Sequence, residues 1–187
     1  MNLLKPIDKA LRLESERLLL KPITEEDTEA VLSIRNSDYV RGNFFYRKEI
    51  TTAEHLNYVK NKCETGEVFY FTVTDKATGR IIGVVYLQHY NPEEKAMESG
   101  LFFDKALPKG KGYATEAYRL LDRYAFDELK LDKLVARVIS YNGASVHLHK
   151  KMGYKAVERS IEKIFPTGEE VEAVTLELVK ENFREKN

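Results

Sequence analysis

The chain has 187 residues, of which 43% are hydrophobic and 32% are charged. That length is typical of one compact domain, and this share of apolar side chains excludes an intrinsically disordered polymer. Thirty Lys and Arg residues balance thirty Asp and Glu residues, so no net positive charge favours nucleic acid or an anionic membrane, and we expect neither as a partner. We expect a single domain over 1–187 with its core at about 17–179.

Cysteine and histidine usage limits the chemistry further. The only cysteine, Cys63, excludes an internal disulfide and indicates a reducing compartment. The four histidines do not form the spaced pair of a zinc site, so we expect no metal. The chain has no signal-like apolar start and no run of roughly 20 apolar residues. We therefore expect a soluble, cytoplasmic protein.

The first half of the chain alternates between helical and extended patterns. Thr24 and Thr51 stand where N-caps of two helices are expected, and residues 39–50 are rich in aromatics and arginine without a clear period, as in a loop that contacts ligand. The predicted elements, in order, are a strand at 17–22, a helix from Thr24 to Ser37–Asp38, a helix at 51–62, a hairpin of strands 67–74 and 80–89, and a strand at 96–104.

The second half contains the strongest helical signal, since apolar residues recur at three and four positions within 113–129. Gly153 follows a shorter helical pattern as a left-handed C-cap. The predicted elements are a helix at 113–129, a strand at 134–140, a helix at 142–151, and strands at 154–161 and 171–179. This order predicts an α+β fold, a mixed sheet with helices packed on its faces.

The turn before the best helix contains two glycines, Gly110 and Gly112, one residue apart. Glycines let backbone N–H groups approach a ligand, and a helix N-terminus favours an anion such as phosphate. The alternative is that the two glycines only make a tight turn. The segment is neither a Walker A loop nor a dinucleotide fingerprint, so ATP and NAD are disfavoured.

Three segments resemble the GNAT N-acetyltransferase superfamily. Residues 109–114 (Lys-Gly-Lys-Gly-Tyr-Ala) resemble its signature turn, although Lys109 stands where Gln or Arg is usual. Residues 142–154 resemble its Asn-x-x-Ser helix followed by Lys-x-Gly-Tyr, and residues 17–27 resemble the opening of the branch that acetylates ribosomal-protein amino termini. The resemblance covers about 17–179.

This resemblance implies a GNAT-like, mostly antiparallel central sheet with helices on both faces, and acetyl-CoA as the donor, without a metal. It also implies a V-shaped split between the strands Met97–Asp104 and Leu134–Ser140, where the pantetheine inserts. The cofactor-binding residues implied are Leu101, Phe102, Phe103, Lys109, Gly110, Lys111, Gly112, Tyr113, Ala114, Asn142 and Ser145.

Two residues are candidates for proton transfer. Relatives often carry a glutamate at the position of Glu98, which makes it the candidate base; the alternative is a sheet-face residue without a role. His149 occupies the position where relatives place a tyrosine acid, and a histidine there is a candidate donor to the leaving sulfur. The proton could instead come from water, or no acid could be needed. The resemblance also implies that Cys63 is not placed as an acyl carrier, so direct transfer in a ternary complex is preferred over a covalent acetyl-enzyme.

The sequence constrains the acceptor substrate less than the acetyl donor. By resemblance, the substrate-binding residues are Arg35, Asn36, Arg41, Phe44, Tyr46, Tyr86 and Gln88. The alternative is that these aromatics close the core and the arginines are solvated. A protein amino terminus, a small amine and a nucleotide-linked amino sugar stay open as acceptors, as does a catalytically silent CoA-binding module. Either a monomer or a homodimer is expected.

Overall fold

The computed structural model describes residues 4–108 and 110–184, which build one mixed sheet of eight strands. The order across the sheet is β1-β2-β3-β4-β5-β6-β8-β7, and only β5 and β6 run parallel among these neighbours. This confirms the predicted mixed, mostly antiparallel sheet. The strands are β1 (Leu13–Glu14), β2 (Leu18–Pro22), β3 (Phe69–Asp75), β4 (Arg80–Asn91), β5 (Ala96–Phe103), β6 (Lys133–Ile139), β7 (Lys155–Lys163) and β8 (Glu170–Val179).

Helices cover both faces of the sheet, as predicted. They are α1 (Thr28–Arg35), α2 (Asp38–Arg41), α3 (Thr52–Tyr58), α4 (Tyr113–Arg123), α5 (Gly143–Met152) and α6 (Lys180–Arg184). Val31 and Ile34 of α1 pack with Phe102 of β5 in one apolar cluster. Ala117 and Leu121 of α4 belong to the larger cluster on the other face. No helix within the described ranges is both long and apolar enough to cross a bilayer.

Capping side chains explain where the helices begin. Thr51 and Glu54 form a reciprocal capping box at the start of α3, and Thr24 with Asp27 forms another before α1. Ser37 has a different role from the predicted one, because its hydroxyl accepts a hydrogen bond from Val40 N at 3.3 Å and so begins α2. The helix before it ends at Arg35.

Several short features were absent from the prediction. α3 continues as a π-helical turn over Val59–Cys63, one residue past its predicted end at 62, and α4 does so over Tyr124–Glu128, one residue short of its predicted end at 129. The two-residue β1 and the five-residue α6 were not predicted. Segments of that length contain less than two periods of any apolar pattern, so periodicity does not detect them.

The feature that positions the site is a gap between β5 and β6. Within the described residues their parallel pairing runs only from Ala96↔Lys133 to Glu98↔Val135. Beyond this point β5 stays paired with β4 as far as Phe103, and β6 stays paired with β8 as far as Ile139. The two strands therefore remain extended while they separate, which opens the middle of the sheet.

Candidate active site

A cavity of about 640 Å³ occupies the gap between β5 and β6. Glu98 and Ser99 are neighbours in β5, so their side chains point to opposite faces of the sheet, yet both line this cavity. The cavity therefore passes through the sheet from the side of α4 and α5 to the side of α1. A molecule bound from one face can reach a second molecule bound from the other.

The glycine turn forms one end of the cavity wall. Gly110 and Gly112 have φ of 75° and 81°, in the left-handed region that favours glycine. Apart from its chain neighbours, no described atom lies within 4 Å of a Cβ built on Gly110, so the turn has room for a ligand at its surface. Gly112 is the N-cap of α4, where unpaired N–H groups and the helix dipole attract an anion. This geometry fits a diphosphate.

Arg17 ties this turn to the start of β2. Its Nη1 donates to the carbonyl oxygen of Lys111 at 2.9 Å, and its Nε donates to Glu116 Oε2 at 2.7 Å. Ser15 Oγ donates to the other oxygen of Glu116 at 2.6 Å. The guanidinium carbon also lies 4.6 Å from the ring centroid of Tyr113. Arg17 therefore contacts the turn at Lys111 and the first turn of α4 at Glu116, and it is not among the described residues that line the cavity.

The start of α5 forms the opposite wall. Asn142 is its N-cap, and its side-chain oxygen accepts a hydrogen bond from Ser145 N at 3.2 Å. Both residues line the cavity. Gly153 ends the helix with φ of 102°, as predicted. The amide oxygen of Asn142 is thus used within the protein, while its side-chain nitrogen faces no partner that the structure describes.

Glu98 lies at the face of the cavity nearer α1, in a set of polar contacts. Its Oε1 accepts from Gln88 Nε2 at 3.0 Å, and its Oε2 accepts from Arg137 Nε at 3.1 Å and lies 3.4 Å from His89 Nδ1. Burial opposes ionisation of this carboxyl, but the hydrogen bond to His89, the charge of Arg137 and the hydrogen bond from Gln88 outweigh it. Together they lower the pKa of Glu98 below its usual value. Glu98 is therefore ionised at neutral pH.

His149 lies at the other face and is almost completely buried. Its Nδ1 is 2.8 Å from the carbonyl oxygen of Ser145, and its Nε2 is 3.0 Å from Tyr118 Oη. Burial lowers the pKa of His149 to about 4, although the hydrogen bond to Ser145 opposes this shift. The imidazole is consequently neutral at neutral pH.

A chain of buried polar side chains extends from His149 to Asp122, and Ser99 in this chain also lines the cavity. Tyr118 Oη is 3.1 Å from Ser99 Oγ, Ser99 Oγ is 3.2 Å from Tyr154 Oη, and Tyr154 Oη is 3.2 Å from Asp122 Oδ1. The sequence analysis missed all four residues. Tyr118 and Asp122 stand one turn apart on α4, between its apolar positions, and polar residues inside such a face are a signal that was available.

Comparison with known proteins identifies the family. Residues 17–155 match the family model of the acetyltransferase (GNAT) domain. The chain is 30% identical to the probable N-acetyltransferase YjcK of Bacillus subtilis, over 76% of this chain and 82% of that one. The chain belongs to the GNAT family. This membership and the named homologues make it an acetyl-CoA-dependent N-acetyltransferase.

Solved structures share this GNAT fold. The spermidine N-acetyltransferase of Vibrio cholerae, in complex with CoA and spermine, has a TM-score of 0.82 at 20% identity and covers 91% of this chain and 99% of its own. The ribosomal-protein-S5-alanine acetyltransferase of Vibrio fischeri has a TM-score of 0.80 at 19% identity, with 92% and 98% covered. At these identities the likeness concerns the fold.

Most of the residues predicted for the GNAT site line one cavity. Those at its wall are Glu98, Leu101, Phe102, Phe103, Gly110, Lys111, Gly112, Tyr113, Ala114, Asn142, Ser145 and His149, with Phe44, Tyr46, Tyr86 and Gln88 on the acceptor side. Lys109 was also predicted to bind the cofactor and lies outside the described residues. Within those residues no group of three or more His, Cys, Asp or Glu side chains is placed to hold a metal ion.

Three predicted acceptor-binding residues are not brought to the cavity wall among the residues described. Arg35 is buried, with its guanidinium carbon 4.2 Å from the ring centroid of Phe44, and its Nη2 donates to Tyr46 O at 2.9 Å. Asn36 exchanges two hydrogen bonds with the backbone of Ile50. Arg41 pairs with Asp38. These contacts shape the loop that carries Phe44 and Tyr46, and a direct role in binding stays a prediction.

Proposed function

We propose that this protein transfers the acetyl group of acetyl-CoA directly to a primary amine while both substrates are bound. The observation that carries the proposal is the cavity that crosses the sheet between β5 and β6. Its α4 and α5 side has the anion-binding turn, and its other side has an ionised carboxylate. Two reactants held from opposite faces meet in the gap, and such alignment can contribute about 7–11 kcal/mol to a bimolecular reaction.

On the donor side the chain supplies binding groups. When bound, acetyl-CoA supplies an activated thioester carbonyl. The N–H groups at Gly110–Ala114 bind its diphosphate, and the backbone of Leu101, Phe102 and Phe103 pairs with its amides along the open edge of β5. Asn142 and Ser145 bind along the same arm from α5. Arg17 keeps the turn in place through Lys111 and Glu116.

On the acceptor side Glu98 binds the ammonium form of the amine and removes its proton, directly or through one water molecule. The carboxylate is ionised because His89, Arg137 and Gln88 stabilise its charge. A lowered pKa makes Glu98 a weak base, so its contribution includes attracting the cation as well as accepting its proton. Tyr86 and Gln88 line the cavity beside it.

Direct transfer is supported by the state of the only cysteine. Cys63 is buried in the cluster between α1 and α3 and is not among the described residues that line the cavity. Burial raises the pKa of its thiol to about 12. A buried, protonated thiol is a poor nucleophile, which disfavours an acetyl-cysteine intermediate.

His149 is the proposed donor of the proton that the leaving sulfur needs, because it lines the cavity from the donor side. A neutral imidazole is a weak acid by itself. Its Nδ1 faces the carbonyl of Ser145, which only accepts hydrogen bonds, so Nδ1 carries the proton of the neutral ring. The carbonyl oxygen of Ser145 accepts this proton at 2.8 Å, so its transfer to the sulfur requires that hydrogen bond to break.

The test is an acceptor panel. Acetyl-CoA is supplied with peptides, polyamines and amino-sugar nucleotides, and free thiol is followed together with the mass of each acceptor. The panel includes polyamines because one structural neighbour is a spermidine N-acetyltransferase solved with CoA and spermine. It includes peptide amino termini because another is a ribosomal-protein-S5-alanine acetyltransferase. We expect acetylation of at least one class of primary amine. Coenzyme A binding by calorimetry without turnover on any class would instead identify a silent binding module.

A further inference from the structure

Asp122 is a carboxyl group in an environment that does not support its charge. It has no exposed surface, its Oδ1 forms a hydrogen bond with Tyr154 Oη, and its Oδ2 has no hydrogen-bond partner among the residues that the structure describes. No cationic side chain within the described ranges forms an ion pair with it. An isolated carboxylate in an apolar interior takes up a proton instead of remaining charged.

The carboxyl is connected to the cavity wall by an unbroken row of hydroxyl groups. The distances from Asp122 through Tyr154, Ser99 and Tyr118 to His149 Nε2 are 3.2, 3.2, 3.1 and 3.0 Å in that order. Tyr154, Ser99 and Tyr118 are each at most 4% exposed. Only Ser99 and His149 of the five line the cavity.

The donor and acceptor roles at the His149 end of this row follow from the contact with Ser145. Nδ1 of His149 must carry a proton to bind the carbonyl of Ser145, so Nε2 of the neutral ring is bare and can accept a hydrogen bond from Tyr118 Oη, 3.0 Å away. In the structure Tyr118 donates to Ser99 and Tyr154 donates to Asp122 Oδ1. When Asp122 is protonated and donates to Tyr154, these hydroxyl groups turn so that each donates toward His149 and accepts from the side of Asp122. The row is then satisfied throughout.

We propose that Asp122 is the proton source for His149, and that Tyr154, Ser99 and Tyr118 conduct the proton between them. This inference rests on the proposed acetyl transfer. As His149 releases its Nδ1 proton to the leaving sulfur, its Nε2 takes the proton of Tyr118, which is replaced from Ser99, then Tyr154, then Asp122. One S–H bond forms, one O–H bond of Asp122 is lost, and Asp122 becomes a carboxylate. After release of the thiol, the proton that the amine nitrogen lost on acetylation passes through cavity water to the bare Nδ1 of His149. The Nε2 proton then returns along the row to Asp122, and no hydroxide is left.

The acidities along the row agree with this direction of transfer. Burial raises the pKa of Asp122 to about 8, close to the value of about 8.5 for a free thiol. Burial also raises the pKa of Tyr118 and Tyr154 well above 10, so neither releases a proton without receiving another. The other titratable groups near the row are His149, which is neutral, and Glu98 and Tyr86 beyond Ser99. The concerted shift avoids a charged ring at His149.

The experiment compares Asp122→Asn and Tyr118→Phe with Tyr124→Phe, which removes a hydroxyl outside the row at the end of the same helix. We expect both test variants to lose kcat by about 100-fold or more, with coenzyme A affinity unchanged and the control within about twofold of wild type. We also expect wild-type kcat to fall above about pH 8 as Asp122 ionises, and this limb to vanish in Asp122→Asn. If Asp122→Asn does not fold, Tyr154→Phe interrupts the next link.

A second readout does not depend on turnover. Infrared difference spectra between wild type and Asp122→Asn at about pH 6 should contain the carbonyl band of a protonated carboxyl group, lost on titration past the pKa of Asp122. An ionised Asp122 in that spectrum overturns the proposal, as does full kcat in Asp122→Asn while wild type acetylates its acceptor. If wild type acetylates nothing, the proposed function fails instead, and the infrared band still reports whether Asp122 is protonated.

Discussion

Arg17 and Glu116 form an ion pair across 99 positions of sequence, with Arg17 Nε 2.7 Å from Glu116 Oε2. The pair joins the start of β2 to the first turn of α4, and Arg17 also holds the Lys111 carbonyl. Since that carbonyl belongs to the turn that lines the cavity and is proposed to bind the diphosphate, the contact keeps the turn in one arrangement before a ligand binds. Preorganisation of this kind increases affinity by reducing the ordering required on binding.

Weakening this pair is therefore expected to reduce coenzyme affinity with little effect on chemistry. Arg17→Lys retains the charge but loses the forked contacts to Glu116 and Lys111. We expect the Kd for coenzyme A to rise about threefold to tenfold, with kcat within about twofold of wild type. Calorimetry and saturation kinetics measure the two effects. Arg159→Lys, at an exposed pair with Glu172 far from the turn, is the matched control, and an equal loss in both variants would contradict the assignment.

Glu98 is expected to affect turnover in a pH-dependent way. Its pKa lies below its usual value, so Glu98 stays charged throughout the neutral range and the amine is the group that titrates. Glu98→Gln should lower kcat/KM by about 100-fold at neutral pH, and the loss should shrink as pH rises and the amine deprotonates unaided.

Glu162→Gln is the control for this prediction, because Glu162 also pairs with Arg137, at 3.6 Å, but is not among the described residues lining the cavity. We expect it to retain activity within about threefold of wild type. A Glu98→Gln loss that is the same at every pH would exclude a role in deprotonating the amine and leave only a role in binding.

The sequence predicted the parts of this site that depend on local chemistry. The glycine turn before α4 and the left-handed cap at Gly153 each have a short-range cause, and both appear where expected. The order of strands and helices followed from periodicity, since most elements span several periods. Resemblance then related these segments to one another and predicted the gap beside Glu98.

Long-range polar contacts were not predictable in the same way. Asp122 and Tyr154 are 32 residues apart, and Arg17 and Glu116 are 99 apart. The position of Asp122 inside the apolar face of α4 indicates that it is buried, but its partner Tyr154 is defined only when the helix is docked on the sheet. The contacts of the loop that carries Phe44 and Tyr46 were not predictable for a related reason. Arg35 reaches the backbone of Tyr46 only after this loop has folded over Phe44.

The cysteine provides a test of direct transfer. Because Cys63 is the only cysteine in the chain and is buried away from the cavity, Cys63→Ala should retain kcat within about twofold. Its loss of packing should destabilise the protein modestly, by about 1 kcal/mol, since only the sulfur is removed. Intact-protein mass spectrometry after mixing with acetyl-CoA should detect no acetyl adduct on the wild type. An acetylated Cys63 that forms and decays at the rate of turnover would replace the ternary mechanism with a two-step one.

Burial of Asp122 should also be visible in the pH dependence of stability. The pKa of this carboxyl rises from 3.8 to about 8 in the folded protein, so its contribution to the free energy of unfolding is complete below about pH 3.8 and is lost as pH rises toward 8. Asp122→Asn removes this loss. The stability of the variant relative to wild type should grow by up to about 1.4 kcal/mol per pH unit between about pH 4 and 8.

Denaturant unfolding at a series of pH values measures this difference in stability, with Asp127→Asn, exposed on the same helical segment, as control. A constant difference between Asp122→Asn and wild type would mean that Asp122 is ionised in the folded protein, and the row of hydroxyl groups would then have no proton to conduct.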